Sequence, residues 1–167
     1  MSPPLAQTAI NAALKHRATF AFAESCTGGR AAADICAVSG ASNVFLGGIV
    51  AYSNTVKRDL LGVPQEMLDT CGAVSAETAH AMALGVQRAT GASYGVSVTG
   101  IAGPTGATAT KPVGRVYIAL ASPDGTVRVE RYNFNGTRQH VQTRAVEAAT
   151  RILIKALTAP PRFQPGA

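Results

Sequence analysis

Short apolar stretches of strand length alternate along this chain with segments whose apolar residues recur at helical spacing. This alternation is typical of an α/β protein in which helices cover a sheet. Five strands are predicted, at residues 19–23, 45–52, 94–98, 113–121 and 127–134. The helices around them are predicted at about residues 4–15, 30–38, 53–62, 74–91 and 137–156.

The last two predicted strands form a hairpin, because the segment between them contains the turn residues Pro123, Asp124 and Gly125. A hairpin that closes a series of strand–helix units predicts a mixed rather than a purely parallel sheet. We therefore expect a three-layer α/β/α fold with a mixed sheet. The 167 residues, 47% of them hydrophobic, provide the core of a single domain. Its ordered part is predicted at about residues 4–158, with a disordered tail at 159–167.

Several features of the sequence indicate a cytoplasmic protein with no membrane partner. No apolar stretch reaches the roughly 18 residues of a membrane span, and the N-terminal residues lack the pattern of a secretory signal. Cys26, Cys36 and Cys71 show no paired CxxC spacing. This favours reduced thiols over disulfides or a structural zinc site.

The charge balance favours a small anionic ligand over a nucleic acid. The formal net charge is +6, but the basic residues are spread along the whole chain. Only 5% of the residues are aromatic and there is no Trp, whereas nucleic-acid tracks combine a basic stripe with aromatic side chains. A basic, solvated surface with no ligand is the alternative interpretation.

The first candidate site is the segment of residues 24–29, which joins a predicted strand to the N-terminus of a predicted helix. Backbone N–H groups at such a terminus lack helical partners and are able to bind an oxyanion or a phosphate. Gly28 and Gly29 allow a ligand to approach the backbone closely. Ser25 or Thr27 provides a hydroxyl nucleophile or, alternatively, only a helix cap.

The second candidate site follows the next strand, where Tyr52 precedes the predicted helix that contains Lys57. A lysine accepts a proton from serine only if its pKa falls well below 10.4. The first turn of a helix and burial both lower that pKa. Tyr52 is then available to relay the proton or to orient the serine. The alternative is that Lys57 is an ordinary solvated surface charge.

A third loop, residues 99–106, follows another strand and offers further backbone donors. It lacks GxGxxG order, and Pro104 is followed by irregular chain, so neither a dinucleotide fingerprint nor a P-loop is indicated. An ordinary surface turn is the alternative. The chain also contains His16, His80 and His140. They lie on separate predicted helices, so neither a metal site nor a Ser-His-Asp triad is expected.

Five motifs, in this order and spacing, resemble those of the CinA C-terminal domain family. They are residues 23–29 (AESCTGG), 52–54 (YSN) with Lys57, 72–75 (GAVS), 100–104 (GIAGP) and 111–114 (KPVG). The resemblance covers the chain from the first helix to Leu157. Family members often have a more glycine-rich stretch after the Gly-Pro, whereas Thr105 and residues 107–110 intervene here. The additional N-terminal domain of many relatives does not fit in a chain of this length.

The resemblance implies a nicotinamide mononucleotide amidohydrolase, which releases ammonia and forms nicotinic acid mononucleotide. It implies Ser25, Tyr52 and Lys57 as catalytic residues, with no metal and no cofactor. The implied substrate-binding residues are Cys26, Thr27, Gly28, Gly29, Asn54, Thr99, Gly100, Ile101, Ala102, Gly103 and Pro104.

Two other functions are compatible with the same residues. Cys26 is an alternative nucleophile, because a thiol at a helix N-terminus often has a lowered pKa. A non-catalytic nucleotide-binding or competence-associated interaction domain would keep the pocket without turnover. The apolar helices are also compatible with a symmetric homodimer.

Overall fold

The computed structural model describes residues 4–159. Its helices are α1 (Leu5–Lys15), α2 (Arg30–Cys36), α3 (Asn54–Leu61), α4 (Gln65–Thr70), α5 (Ala76–Thr90) and α6 (Arg138–Thr158). Its strands are β1 (Phe20–Glu24), β2 (Phe45–Val50), β3 (Tyr94–Gly100), β4 (Arg115–Ala121) and β5 (Val127–Asn133). The predicted disordered tail, residues 159–167, lies outside the described residues except for residue 159.

The five strands form one sheet in the order β2-β1-β3-β4-β5. β1 pairs in parallel with β2 and with β3, while β4 is antiparallel to both of its neighbours, β3 and β5. The prediction of a mixed sheet ending in a hairpin is therefore confirmed. Because β1, β2 and β3 run in the same direction, their carboxyl ends lie at one edge of the sheet.

Helices cover both faces of the sheet, which confirms the three-layer architecture. On one face, Phe20 and Phe22 of β1 are fully buried in an apolar cluster that includes residues of α1, α2 and α6. On the other face, the intervening Ala21 and Ala23 pack in a second cluster with residues of α3, α4 and α5. The alternation follows from the two-residue period of a strand, and the alanines allow α5 to approach β1 closely.

Three helices begin at hydroxyl side chains. Ser53 accepts a hydrogen bond from the N–H of Val56 at the start of α3, and Ser75 caps α5 in the same way. Thr137 forms a capping box with His140 at the start of α6. The predicted helix starts at about residues 53 and 137 are confirmed, and the cap at Ser53 places Lys57 in the first turn of α3.

The structure corrects several element boundaries. α4 and a single 3-10 turn at Ala41–Asn43 were not predicted. Pro64 directly precedes α4, where its missing N–H costs nothing. The fourth strand was predicted from residue 113 but begins at 115, because Gly114 has a φ of +88°, which a strand does not allow.

Candidate functional site

Three loops meet at the shared carboxyl edge of β1, β2 and β3. The N–H of Ser25 donates to the carbonyl of Val98 on β3, at 2.9 Å. The N–H of Ala51 donates to the carbonyl of Glu24, at 2.8 Å. These bonds extend the sheet by one residue and fix Ser25 between the loops that follow β2 and β3. The parallel pairing therefore brings together the three candidate loops of the sequence.

Lys57 and Ser25 are in direct contact in this edge region. The Lys57 Nζ donates to the Ser25 Oγ at 3.1 Å, to the carbonyl of Ala51 at 2.8 Å and to the carbonyl of Tyr52 at 3.4 Å. Only 1% of Lys57 is exposed, and 9% of Ser25. The interpretation of Lys57 as a solvated surface charge is therefore wrong.

Burial lowers the pKa of Lys57 below the ordinary lysine value of 10.5, because the buried ammonium loses its hydration. The interaction with Cys26 acts in the opposite direction and is smaller. A neutral amine in contact with a serine hydroxyl is the arrangement that a serine–lysine general base requires.

Glu24, the last residue of β1, fills the N-terminus of α2. It is fully buried, and its carboxylate accepts hydrogen bonds from the N–H groups of Gly29, Ala31 and Ala32 at 2.9–3.1 Å. The sequence predicted that these donors would be free for an oxyanion or a phosphate. That prediction is wrong, because the carboxylate of the chain itself occupies the position of the anion.

The hydroxyl and the N–H of Thr27 lack hydrogen-bond partners in the described part of the chain, whereas its carbonyl accepts from the N–H of Arg30 at 3.3 Å. Its hydroxyl is buried and forms no hydrogen bond within residues 4–159. Its N–H donates to no described group either. The following Gly28 and Gly29 have φ values of +63° and +93°, which form the sharp turn into α2. The hydroxyl and the N–H of Thr27 are thus polar groups of the loop that are left for a ligand.

The side chain of Cys26 lies in the apolar core rather than at the edge of the sheet. Burial raises the pKa of its thiol to about 12, and the nearby positive charges of Arg138 and Lys57 offset this only in part. Its carbonyl accepts a hydrogen bond of 2.8 Å from the Gln142 side chain. Cys26 is therefore a neutral, packed thiol at neutral pH.

Tyr52 lies at the rim of the site. The residue is 61% exposed, and its hydroxyl accepts a hydrogen bond of 2.9 Å from Arg138 Nη2. Among the described residues the phenol has no hydrogen bond to Ser25 or Lys57, and only its carbonyl contacts the lysine. Asn54, the first residue of α3, is also exposed. The structure thus brings Ser25 and Lys57 together but directs the phenol to a different partner.

In the third loop, the Thr99 hydroxyl donates to the carbonyl of Ala73 at 2.7 Å and so anchors the segment before α5. Gly100 ends β3, and the N–H of Ile101 donates to Arg115. Ala102 and Gly103 are buried, and their N–H groups donate to no residue in the described part of the chain.

The bend at the end of this loop is exposed. The Gly103–Pro104 peptide bond is cis, and Pro104 is accessible to solvent. The carbonyl of Gly103 accepts a hydrogen bond of 2.9 Å from Arg138 Nη1. The loop therefore contributes free N–H groups at Ala102 and Gly103 and a direct link to α6.

Three contributors to the site were missed by sequence reasoning: Glu24, Arg138 and Gln142. Glu24 belongs to the motif at residues 23–29, but no role was predicted for it, although an acidic residue just before a helix N-terminus is a recognisable signal. Arg138 and Gln142 lie one turn apart on α6, more than 100 residues after Ser25 in the sequence. No local pattern indicates that they contact the loops.

The described residues contain no group of three or more His, Cys, Asp or Glu side chains placed to hold a metal ion. In the same part of the chain, no helix has the length and apolar character needed to cross a membrane.

This is an α/β protein with a mixed five-stranded sheet between helices. A buried serine–lysine contact lies at the carboxyl ends of the parallel strands. The chain belongs to the CinA C-terminal domain family, which matches residues 3–157. A putative competence-damage inducible protein of Desulforudis audaxviator is 49% identical over 140 residues, or 84% of this chain and 34% of the relative. A CinA-like protein of Geobacter sp. (strain M21) is 56% identical over 124 residues, covering 74% of this chain and 30% of the relative.

Solved structures agree with the family assignment. The competence/damage inducible protein CihA of Agrobacterium tumefaciens has a TM-score of 0.89 at 38% identity, covering 95% of this chain and 99% of that one. A CinA superfamily protein of Escherichia coli has a TM-score of 0.87 at 28% identity, covering 91% and 88%. The chain spans about a third of the length of the curated relatives it matches.

Proposed function

We propose that this chain is a nicotinamide mononucleotide amidohydrolase, which hydrolyses the carboxamide to nicotinic acid mononucleotide and ammonia. The contact that carries the proposal is the 3.1 Å distance between Lys57 Nζ and Ser25 Oγ, both in a buried environment. A buried amine beside a hydroxyl supports acyl transfer by a serine nucleophile. Membership of the CinA family supports the choice of substrate.

In the first step Lys57, as a neutral amine, accepts the proton of the Ser25 hydroxyl. A neutral amine has two N–H groups and one lone pair. The carbonyls of Ala51 and Tyr52 lie at 2.8 and 3.4 Å and are placed to accept the two N–H groups. The lone pair is then directed to Ser25, so the hydrogen bond to the serine reverses its direction when the lysine loses its proton.

The Ser25 oxygen then attacks the carboxamide carbon, and the carbonyl oxygen becomes a tetrahedral oxyanion. The free N–H groups of Thr27, Ala102 and Gly103 are the candidate donors for that oxyanion. The protonated Lys57 returns its proton to the leaving nitrogen, so that ammonia departs and a Ser25 ester remains. Water, deprotonated by the neutral Lys57, hydrolyses the ester and regenerates the hydroxyl.

Tyr52 enters this scheme through its carbonyl, which helps to hold the amine, and through its exposed ring at the rim. Its hydroxyl is engaged with Arg138, so proton relay through the phenol is not part of the proposed first step. Replacing Tyr52 with Phe is expected to reduce the rate less than replacing Ser25 or Lys57 with Ala.

Ammonia release from nicotinamide mononucleotide tests the proposal. Ser25→Ala is expected to lower kcat/KM at least about 1,000-fold, because the nucleophile is lost. The matched variant is Cys26→Ala, in the adjacent residue. It is expected to remain within about tenfold of the wild type, because the buried Cys26 thiol stays protonated.

Three outcomes contradict the proposal. Unchanged ammonia release by Ser25→Ala excludes the serine mechanism, and loss of activity only in Cys26→Ala assigns the reaction to the thiol. Tight nucleotide binding by the wild type without any ammonia release, measured at high protein concentration, indicates a binding domain instead of an amidase.

A further inference from the structure

The peptide group between Cys26 and Thr27 has a hydrogen bond at its carbonyl end and a free N–H at the other. The carbonyl, on Cys26, accepts a hydrogen bond of 2.8 Å from the Gln142 side chain of α6. The N–H, on Thr27, donates to no group in residues 4–159. This peptide group follows Ser25 by one residue, so its orientation decides where a backbone donor points close to the nucleophile.

The bond from Gln142 fixes that orientation. The C=O and the N–H of a trans peptide point in opposite directions. The Cys26–Thr27 bond is trans, since the cis peptide bond within residues 4–159 is Gly103–Pro104. Gln142 holds the carbonyl toward α6 and therefore turns the N–H of Thr27 away from that helix. A hydrogen bond to the carbonyl oxygen also polarises the peptide group, which makes its N–H a stronger donor.

The neighbouring N–H groups of the turn are already used. The N–H of Gly28 donates to the carbonyl of Ser25 at 3.2 Å, and that of Gly29 donates to the Glu24 carboxylate at 3.0 Å. Gln142 itself is only 8% exposed. An unpaired amide is costly in such an environment, so burial favours the bond to the carbonyl over contact with water.

We propose that Gln142 is a positioning residue that orients the N–H of Thr27 toward the oxyanion of the tetrahedral intermediate. The proposal rests on the proposed amidase function and adds the side chain that holds one of its candidate oxyanion donors. A donor fixed in advance needs no reorientation when negative charge develops on the carbonyl oxygen. Gln142 therefore acts on the transition state and has little effect on binding of the planar carboxamide.

Steady-state ammonia release from nicotinamide mononucleotide tests the role of Gln142. Gln142→Met keeps an unbranched side chain of similar length and removes the donor. It is expected to lower kcat by about 10- to 100-fold, because a misdirected oxyanion donor is partly or wholly lost. The KM is expected to stay within about threefold of the wild type, since ground-state binding is not affected. Gln142→Lys retains an N–H donor and is expected to have an intermediate kcat.

Thr150→Val is the matched control, since Thr150 is a buried polar residue of the same helix. Its hydroxyl donates within α6, to the carbonyl of Val146 at 2.9 Å. The variant removes a buried hydrogen bond from α6 and is expected to leave kcat unchanged. An unchanged kcat in Gln142→Met overturns the proposal. So does an equal loss in Thr150→Val, or a Gln142→Lys protein that is no more active than Gln142→Met.

An aldehyde analogue of the substrate, with CHO in place of the carboxamide, separates orientation of the donor from general damage to the site. The Ser25 oxygen adds to the aldehyde carbon, the serine proton goes to Lys57, and the former carbonyl oxygen becomes an oxyanion. Gln142→Met is expected to weaken inhibition by this analogue by the factor that kcat/KM loses. In a Ser25→Ala background, which cannot turn over, Gln142→Met is expected to leave the calorimetric Kd for nicotinamide mononucleotide unchanged. An equal weakening of both compounds assigns Gln142 a purely structural role.

Failure of the proposed function is distinguishable from failure of this inference. If the wild type releases no ammonia from nicotinamide mononucleotide, the amidase proposal fails. The ¹⁵N relaxation of the Thr27 amide then tests the contact without any substrate. Its order parameter is expected to be about 0.85 in the wild type and below about 0.6 in Gln142→Met. Equal order parameters in the two proteins overturn the positioning role.

Discussion

At the scale of single residues, the Lys57 amine lies where an ammonium ion is costly. The residue is 1% exposed, and no carboxylate lies within ion-pair distance of it in the described part of the chain. Its polar neighbours are the Ser25 hydroxyl and two carbonyl oxygens. Uncharged acceptors satisfy the N–H groups but compensate the charge poorly, so burial favours the neutral amine.

The pH dependence of the proposed reaction follows from this shift. The active form contains neutral Lys57, so kcat/KM is expected to rise about tenfold per pH unit on the acidic side and then to level off. Because burial lowers the pKa of Lys57, the levelling is expected below pH 10.5. Lys57→Arg remains protonated at every accessible pH and is expected to be inactive throughout.

Ammonia release between about pH 5 and 11 measures this profile, with circular dichroism to verify that the fold persists at each pH. A midpoint at or above 10.5, or an active Lys57→Arg protein, contradicts the assignment of Lys57 as the base.

At the scale of elements, the turn into α2 is held by a buried carboxylate. Glu24 Oε2 accepts from Gly29 and Ala31, and Oε1 accepts from Ala32. In Glu24→Gln, one side-chain oxygen becomes an NH₂ group and faces backbone donors in either orientation. We expect the free energy of unfolding to fall by about 1–3 kcal/mol. We also expect kcat to fall, because the same turn positions Ser25.

The control for this prediction is Leu153→Ala, which removes a fully buried side chain of α6 in the core. It is expected to cost about 2–5 kcal/mol of stability. Its kcat, measured well below the melting temperature, is expected to match that of the wild type. Equal kcat values in the Glu24→Gln and Leu153→Ala proteins contradict a positioning role for Glu24. Chemical denaturation and steady-state assays provide both numbers.

The packing of α3 on α5 depends on Gly85. A Cβ atom at this position would lie 2.1 Å from the carbonyl oxygen of Leu61, at the end of α3. Gly85→Ala is expected to force the two helices apart and to cost about 1–3 kcal/mol. It is also expected to reduce kcat, because α3 carries Lys57 one turn before Leu61. Helix propensity alone favours Ala over Gly and predicts that Gly85→Ala stabilises the protein by about 1 kcal/mol. A Gly85→Ala protein that is more stable than the wild type in chemical denaturation therefore contradicts the close approach of α3 and α5.

Some features of these helices and strands are predictable from the sequence, and others are not. The cap at Ser53 and the first-turn position of Lys57 follow from local patterns, and the parallel strands place the loop of Ser25 near them. The hydrogen bonds from the N-terminus of α2 to the Glu24 carboxylate were not predicted, because they depend on the backbone path of the turn between Glu24 and α2. The partner of Tyr52 was not predictable either, since Arg138 follows it by 86 residues.

At the scale of the whole molecule, two apolar clusters on opposite faces share the sheet, and the candidate site lies at the edge between them. β1 contributes to both clusters and ends at Glu24, next to the nucleophile. α6 packs over one cluster and brings Arg138 to the site, while α3 and α5 on the other face bring Lys57. The two helical layers thus supply different groups to one edge of the sheet.

The net charge of +6 gives the last prediction, on the response to salt. A positively charged protein attracts an anionic substrate, and salt screens this attraction over a Debye length of about 10 Å at 0.1 M. Raising the salt from about 20 to 500 mM is expected to increase the KM for nicotinamide mononucleotide several-fold. The KM for nicotinamide riboside, which has no phosphate, is not expected to rise. Equal salt responses for the two substrates, in steady-state assays, contradict electrostatic recognition of the phosphate.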